Sequence, residues 1–263
     1  MRRTRDAVPS AALRRRIAFS LDTPDELAPH LERLFAPLRS LGAMPRRTVS
    51  LIASALTPGP RTRVLDAACG KGAVSVLLAS RLGCRVTGFD AMPAFIEEAR
   101  ARARRVGVGH LCRFEVSTAE AFFKRPRRFD GAMMLNLWPA PRAVAALRRV
   151  VRPGGVMVID DATLDPRRLV PREFDHMRTL EEMNRLLEVG GDEILRVVRP
   201  TPSVVRAQNR VLYRLIERSA QALVGDGHPE LAPHARDLLR RQREANRLLA
   251  TTLRPTMWLI RRG

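Results

Sequence analysis

The stretch "VLDAACGKGAVSV", Val64 to Val76, is the most informative part of the sequence. It begins as an apolar strand, passes through an acid, and then places two glycines around a lysine before a helical pattern starts. Glycines between a strand and a helix allow the backbone to approach a ligand closely. The stretch therefore predicts a ligand-binding loop after the first strand of an α/β domain.

The loop fits neither of two common phosphate-binding patterns. The triphosphate loop needs a glycine five residues before Gly-Lys and a hydroxyl residue after it, but Gly70–Gly72 reads Gly-Lys-Gly and Leu65 holds the earlier position. The dinucleotide pattern needs a third glycine where Ser75 stands, and Asp66 would repel a pyrophosphate. We therefore expect no phosphate in this loop, and we expect Lys71 to face solvent.

Strands and helices alternate from Arg63 onward. The apolar runs are short and rich in Val, Leu and Met, which is typical of a parallel sheet covered on both faces. The predicted fold class is α/β: a doubly wound, Rossmann-like, mostly parallel seven-stranded sheet with helices on both faces, N-terminal helices and a helical C-terminal insertion. The predicted strands are 63–68, 84–90, 111–117, 130–136, 155–161, 192–200 and 255–263, and helices are predicted near 72–82, 92–106, 119–125 and 140–151.

Three regions are expected along the chain. Residues 1–60 form a basic arm of about twenty residues followed by cap helices, one of them over 23–41 with Thr23 as its N-cap. Residues 61–161 form the ligand-binding core. In it, "RPGG", Arg152–Gly155, ends the preceding helix and comes before the fifth strand. Residues 162–263 form a helical substrate or lid segment, with a helix over 175–191, that ends in the last sheet strands.

The amino-acid composition indicates which kinds of partner and which compartment to expect. Lys and Arg number 47 against 27 Asp and Glu, a net charge of +20, which raises the expectation of a polyanionic partner such as RNA. The arginines are spread over nearly every predicted helix, so a decorated surface is the alternative explanation. The three cysteines have no CxxC spacing, and the N-terminus has no apolar signal region. We therefore expect a cytoplasmic protein with no membrane span, no disulfide framework and no zinc site.

Four stretches in the right order resemble the class I S-adenosylmethionine-dependent methyltransferases, including the quinone-biosynthesis-like branch that acts on small molecules. The first is "VLDAACGKG" (64–72), which is similar to the family's D-x-x-x-G-x-G motif. The others are "VTGFDAM" (86–92), "FEVSTAEAF" (114–122) and the block from Phe129 to Asp160 with its Arg-Pro-Gly-Gly turn.

The resemblance implies S-adenosylmethionine as cofactor and S-adenosylhomocysteine as product. Asp66 would lie near the methionine amino group, and Asp90 would accept hydrogen bonds from the two ribose hydroxyls. A carboxylate also suits the positive charge of an ammonium and a sulfonium group on physical grounds. The full set of implied cofactor-binding residues is Asp66, Ala67, Ala68, Gly70, Gly72, Asp90, Ala91, Met92, Thr118, Ala119, Asn136 and Leu137.

Few residues could activate an acceptor. Asp160 and Asp161 end the fifth strand at the carboxyl edge of the sheet, where ligands bind in open α/β folds. Either could act as a base, or the pair could hold a metal, although no resident metal is predicted. His176 is the best candidate histidine for a general base. Trp138 could form an aromatic wall for the substrate or the sulfonium, with core packing as the alternative.

The favoured function is in-line methyl transfer to a small-molecule acceptor that the N-terminal and C-terminal helices position. An RNA methyltransferase that uses the basic surface is one alternative, and a non-catalytic cofactor-binding protein is another. A homodimer is compatible with the sequence. The sequence does not predict whether oxygen, nitrogen, carbon or sulfur accepts the methyl group.

Overall fold

A computed structural model of the protein describes residues 9–40, 45–56, 58–165, 177–188 and 190–263. They form one seven-stranded sheet with the strand order β3-β2-β1-β4-β5-β7-β6. The strands are β1 (Arg63–Ala67), β2 (Arg85–Asp90), β3 (Cys112–Val116), β4 (Phe129–Met134), β5 (Val151–Leu164), β6 (Glu193–Val198) and β7 (Leu253–Arg261).

The first five strands run parallel, and β7 pairs antiparallel with both β5 and β6. The doubly wound, mostly parallel sheet predicted from the sequence is therefore confirmed. The helices are α1 (Ala11–Ser20), α2 (Leu31–Leu34), α3 (Pro45–Ala55), α4 (Ala73–Leu82), α5 (Pro93–Arg105), α6 (Ala119–Phe122), α7 (Ala140–Arg148), α8 (Leu180–Leu187), α9 (Pro202–Gly225) and α10 (Ala232–Thr251).

Apolar side chains cover both faces of the sheet. One cluster includes Leu65, Met157 and Trp258, and a second includes Val64, Met133 and Leu259. Neighbouring residues of one strand thus point to opposite faces, as Val64 and Leu65 do, which is the period-two alternation of a strand. This arrangement explains why the strands read as continuous apolar runs in the sequence.

A third apolar cluster joins the N-terminal helices to the long C-terminal pair. Ala18 and Leu31 are fully buried against side chains of α9 and α10 such as Leu223 and Leu238. Phe95 of α5 belongs to the same cluster, so this helical layer also rests on the core. The layer is what brings α1, α9 and α10 to the carboxyl edge of the parallel strands.

The N-terminal region differs from the sequence prediction in two places. The segment 11–20, expected as part of a basic arm, forms the helix α1, whose N-cap Ser10 accepts a hydrogen bond from the backbone of Leu13. The predicted helix over 23–41 is instead a 3₁₀ helix, Asp25–His30, followed by the single turn α2. Pro29 inside the 3₁₀ segment lacks the N–H that an α-helix requires.

Two smaller predictions were also wrong. Thr23 does not cap a helix, because its hydroxyl donates back to the carbonyl of Leu21 and Pro24 holds the N-cap position. Arg152–Gly155 was expected to come before β5 as a break between helix and strand. It lies inside β5 instead, where the pairing register with β4 shifts. The helix expected over 175–191 spans only Leu180–Leu187 among the described residues.

Candidate active site

A cavity of about 690 Å³ opens at the carboxyl edge of the parallel strands. Its floor is the loop after β1 and the ends of β2, β4 and β5, and its roof comes from α1, α9 and α10. Ligands bind at this edge in open α/β sheets because the strand ends and helix starts converge there. The cavity volume falls within the roughly 300–1,000 Å³ typical of small-molecule sites.

Asp66 ends β1 at the floor of the cavity and is buried. The hydroxyl of Ser75, on the first turn of α4, donates to Asp66 Oδ2 at 2.5 Å. Burial raises the pKa of Asp66 from 3.8 to about 7, and the neighbouring Asp90 adds to the rise. No basic side chain pairs with Asp66 in the described part of the chain, so its charge is available to a cationic ligand group.

Asp90 ends the adjacent strand β2 and lines the same cavity. Its carboxylate accepts hydrogen bonds from the backbone N–H groups of Gly70 and Met92, both at 2.9 Å. Burial raises the pKa of Asp90 despite these bonds. The side chain therefore fixes the glycine loop and still has acceptor capacity on both oxygens.

Gly72 has a structural role next to the site. It takes the left-handed conformation, with φ +68°, as the N-cap of α4. A Cβ atom here would lie 2.8 Å from Ala99 Cβ and 3.1 Å from the ring of Phe114. The residue therefore allows α4 and α5 to pack closely, and it does not line the cavity.

Most of the residues that the sequence assigned to the cofactor meet at this cavity. Ala67 and Gly72 lie behind its wall, and the hydroxyl of Thr118 caps α6 by accepting from the backbone of Ala121. Ser117 lines the wall beside Ala119 instead. The predicted cofactor residues that do line the cavity are Asp66, Ala68, Gly70, Asp90, Ala91, Met92, Ala119, Asn136 and Leu137.

Asp160 and Asp161 line the cavity at the end of the described pairing of β5 with β4. Asp160 accepts from the backbone N–H of Asn136 at 2.7 Å, and Asp161 accepts from that of Ala140 at 2.8 Å. Both carboxylates thus hold the loop between β4 and α7, in which Asn136 has a positive φ of 54°. Burial, with a contribution from Asp161, raises the pKa of Asp160 to about 7.

Trp138 also lines the cavity, and one face of its ring is covered. The guanidinium carbon of Arg142 lies 3.9 Å from the ring centroid, within the range of a cation–π contact. Glu120 forms ion pairs with Arg16 of α1 at 2.6 Å and with Arg142 at 3.9 Å. These contacts link α1 to the loop that carries Trp138, whose ring also lies 6.1 Å from that of Phe123 and packs against the core.

Lys71 does not face solvent, contrary to the sequence prediction. Its ammonium group is buried and donates to the carbonyl oxygens of Phe35 at 3.0 Å and Ala36 at 2.7 Å. Glu98 of α5 completes the set at 2.9 Å. The lysine therefore ties the N-terminal cap to the glycine loop, using all three of its donors.

Sequence reasoning missed the polar residues of the roof. Five uncharged polar side chains from α9 and α10 line the cavity opposite Asp66 and Asp90: Gln208, Asn209, Tyr213, Gln242 and Asn246. A signal was present in α9, because Asn209 lies on the same helical face as the apolar residues Val205, Leu212 and Ile216. A buried polar residue on an apolar stripe marks a candidate ligand contact.

Two further expectations concern features outside this geometry. His176, the predicted general base, lies outside the described residues. Within the ranges that the structure describes, no three His, Cys, Asp or Glu side chains gather as metal ligands would, and no resident metal remains a prediction. None of the helices described has both the length and the apolar character needed to cross a bilayer.

Comparison with known proteins finds methyltransferases. Residues 64–155 match the family model described as a methyltransferase domain. A protein of Mycolicibacterium smegmatis named "Probable S-adenosylmethionine-dependent methyltransferase" is 33% identical over 136 residues, which are 50% of this chain and 52% of that protein. A ubiquinone biosynthesis O-methyltransferase of Methylocella silvestris is 37% identical over 36% of this chain and 38% of its own length. The chain thus spans about half or less of these relatives.

The solved structures agree on the fold. A methyltransferase from Thiobacillus denitrificans, solved with S-adenosylhomocysteine, superposes with a TM-score of 0.70 over 89% of this chain and 98% of its own, at 18% identity. The family match runs from β1 to Gly155 within β5, and it includes the first three sequence motifs, most of the fourth, and the floor residues Asp66 and Asp90. Residues 64–155 are therefore similar to the methyltransferase domain family, and the fold around them is that of solved methyltransferase structures.

Proposed function

We propose that this protein binds S-adenosylmethionine at the floor of the cavity and transfers its methyl group to a small-molecule acceptor held under α9 and α10. The observation that carries the proposal is the continuity of the cavity. One space joins the carboxylates of Asp66 and Asp90 to the amide side chains of the roof, such as Gln208 and Gln242. A donor and an acceptor bound at these two ends would meet inside one cavity.

The residues at the floor suit this cofactor. Asp66 is a buried carboxylate with no cationic partner among the described residues, so an ammonium group near it would favour its ionised form. Asp90 has carboxylate oxygens that accept from two backbone groups and retain lone pairs for ribose hydroxyls. Ala68, Gly70 and Ala91 are small residues along the same wall, where a ligand can approach the backbone.

When bound, S-adenosylmethionine supplies an electrophilic methyl group on its sulfonium. The tasks left to the protein are to exclude water and to hold the acceptor atom in line with the bond that breaks. The roof of α1, α9 and α10 encloses the cavity, and the loop held by Asp160 and Asp161 forms one side of it. We assign to Asp160 the role of taking a proton from an acceptor hydroxyl or amine, and its pKa near 7 supports this assignment.

The proposal favours a small molecule over RNA as the acceptor. The roof helices bound a cavity of about 690 Å³, a volume typical of small-molecule sites. An RNA methyltransferase would also have to admit the strand attached to a flipped base. Similarity to a ubiquinone biosynthesis O-methyltransferase supports a small-molecule acceptor as well. The surplus of basic residues remains the one feature that favours a nucleic acid.

Calorimetric titration of the full chain with S-adenosylhomocysteine tests the cofactor site. We expect 1:1 binding that Asp90→Ala weakens by about tenfold or more, as the loss of charge-assisted hydrogen bonds predicts. Asp90→Asn, which keeps the shape, should give an intermediate loss. Asp226→Ala is the control, because Asp226 is an exposed partner of Arg33 outside the cavity. No binding by the unmodified protein, or equal binding by Asp90→Ala, would refute the proposal.

A further inference from the structure

A second concavity adjoins the acceptor end of the cavity, between α9 and α10. Four arginines line it: Arg206 and Arg210 from α9, and Arg243 and Arg247 from α10. Each pair is spaced by four residues, so both members lie on the same face of their helix. We call this concavity of about 420 Å³ the arginine groove.

The arginine groove and the cavity share part of their walls. Asn209, Tyr213 and Asn246 line both spaces, so a ligand under α9 and α10 can extend from one into the other. The side-chain amide nitrogen of Asn209 is buried at this junction and has no hydrogen-bond partner within the described residues. A buried donor without an acceptor is costly, and an acceptor atom of a bound ligand would satisfy it.

Two of the four arginines of the groove have no carboxylate partner among the described residues. Arg247 is paired with Glu244 at 2.6 Å, and Arg243 donates to the hydroxyl of Tyr213, which in turn donates to Glu217. For Arg206 and Arg210 the described structure shows no carboxylate partner. Arg206 and Arg210 therefore contribute two guanidinium groups that no carboxylate of the described residues pairs with.

We propose that the arginine groove binds a phosphoryl group of the methyl acceptor, so that the substrate is a phosphorylated small molecule whose remaining part enters the cavity. The inference rests on the proposed function, because it assigns the far end of the same acceptor. A phosphate monoester carries about 1.5 to 2 negative charges at neutral pH, which suits the guanidinium groups of Arg206 and Arg210. Guanidinium groups bind such oxygens in a bidentate way that fits their planar donors.

The test uses the full chain saturated with S-adenosylhomocysteine, titrated with inorganic pyrophosphate by calorimetry. The double variant Arg206→Gln/Arg210→Gln removes half of the groove's guanidinium groups, and all four arginines are exposed, so folding should be unaffected. The matched control is Arg214→Gln/Arg218→Gln, two exposed arginines of the same helix that line neither space. We expect the groove variant to bind pyrophosphate about tenfold more weakly or worse, and the control to change it less than about twofold.

The outcomes separate this inference from the proposed function. Equal pyrophosphate binding by all three proteins, or none by the unmodified protein while S-adenosylhomocysteine still binds, would overturn the groove and leave the methyltransferase proposal intact. Failure to bind S-adenosylhomocysteine would overturn the methyltransferase proposal. Titration with pyrophosphate alone would then still show whether the arginine groove binds a phosphoryl group.

RNA is the competing occupant and has its own arm in the experiment. A short single-stranded RNA whose binding is lost in the groove variant, and which pyrophosphate does not displace, would overturn the phosphorylated small molecule in favour of RNA. Displacement of the RNA by pyrophosphate, together with the loss in the groove variant, would support the phosphoryl site.

Discussion

The ammonium group of Lys71 lies 3.0 Å from the carbonyl oxygen of Phe35, although the two residues belong to different layers of the protein. Lys71 is part of the glycine loop at the floor of the cavity, and Phe35 is part of the N-terminal cap. A second carbonyl, that of Ala36, and the carboxylate of Glu98 complete the contacts of the ammonium. The N-terminal cap is therefore in direct contact with the glycine loop at the floor of the cavity.

Lys71→Met should destabilise the protein and loosen this attachment. The substitution leaves two carbonyl oxygens and a half-exposed carboxylate without their shared donor, at an expected cost of about 2–4 kcal/mol in the free energy of unfolding. Urea denaturation measures this loss. Lys124→Met is the natural control, since Lys124 is the other lysine of the chain and is exposed. A loss no larger for Lys71→Met than for Lys124→Met would contradict the role assigned to Lys71.

The raised pKa of Asp66 predicts a pH-dependent stability of the cofactor-free protein. Because the folded value, about 7, exceeds the ordinary 3.8, this group's stabilising contribution is complete below pH 3.8 and is lost as the pH rises through 7. The full difference corresponds to at most about 4 kcal/mol. Asp66→Asn does not titrate, so its stability should gain on that of the unmodified protein between pH 5 and pH 8. Parallel unfolding free energies across that range would show that Asp66 is not perturbed.

Cofactor binding should release a proton when Asp66 is protonated. A cationic ligand group favours the ionised carboxylate, so binding of S-adenosylmethionine near pH 6 should expel the proton that burial retains. Calorimetry in two buffers with different ionisation enthalpies measures that proton. The release should be smaller for Asp66→Asn, and an identical release from both proteins would assign the proton to another group.

Asp160 should titrate near neutral pH, in part because Asp161 lies beside it. Carbon-13 NMR of the side-chain carboxyls should show a midpoint close to 7 for Asp160. Asp161→Asn removes a neighbouring like charge and should lower that midpoint. A midpoint near 4 in the unmodified protein would rule out Asp160 as a base poised for an acceptor at neutral pH.

Gly72 and Gly83 allow the cost of backbone strain to be separated from the cost of crowding. Both are left-handed, with φ of +68° and +64°, but a Cβ atom at Gly83 would meet nothing within 4 Å. Gly83→Ala should therefore cost about 1 kcal/mol from strain alone. Gly72→Ala adds the clash with Ala99 and should cost about 1–3 kcal/mol more. Equal losses in thermal or urea unfolding would show that the helices move apart freely.

Much of the fold was predictable because it depends on local patterns. The apolar runs and intervening helical periods from Arg63 to Asp161 identified all five parallel strands in their places. The prediction failed where a single residue interrupts a pattern, as Pro29 does in the N-terminal cap. It also failed at Arg152–Gly155, which lies inside β5 as an irregularity between the pairs Phe129–Val151 and Gly131–Val156.

The candidate site was predictable on one side only. Its floor follows from strand ends and a glycine loop, which are short-range features, and so Asp66, Asp90 and Asp160 could be named from the sequence. The roof depends on how α9 and α10 lie across the sheet, and no local pattern predicts that Asn209 and Tyr213 line the same cavity as Asp66. The burial of Lys71 is a long-range effect of the same kind, because its carbonyl partners lie about 35 residues away in the chain.

The order of the last strands has an evolutionary consequence. Helices α9 and α10 are inserted between β6 and β7, and these two strands are direct neighbours, with Val198 paired to Met257. Both ends of the inserted helices therefore leave from and return to adjacent points of one hairpin. We therefore expect that the helical pair can be lengthened, shortened or replaced between related proteins while the sheet keeps its strand pairings.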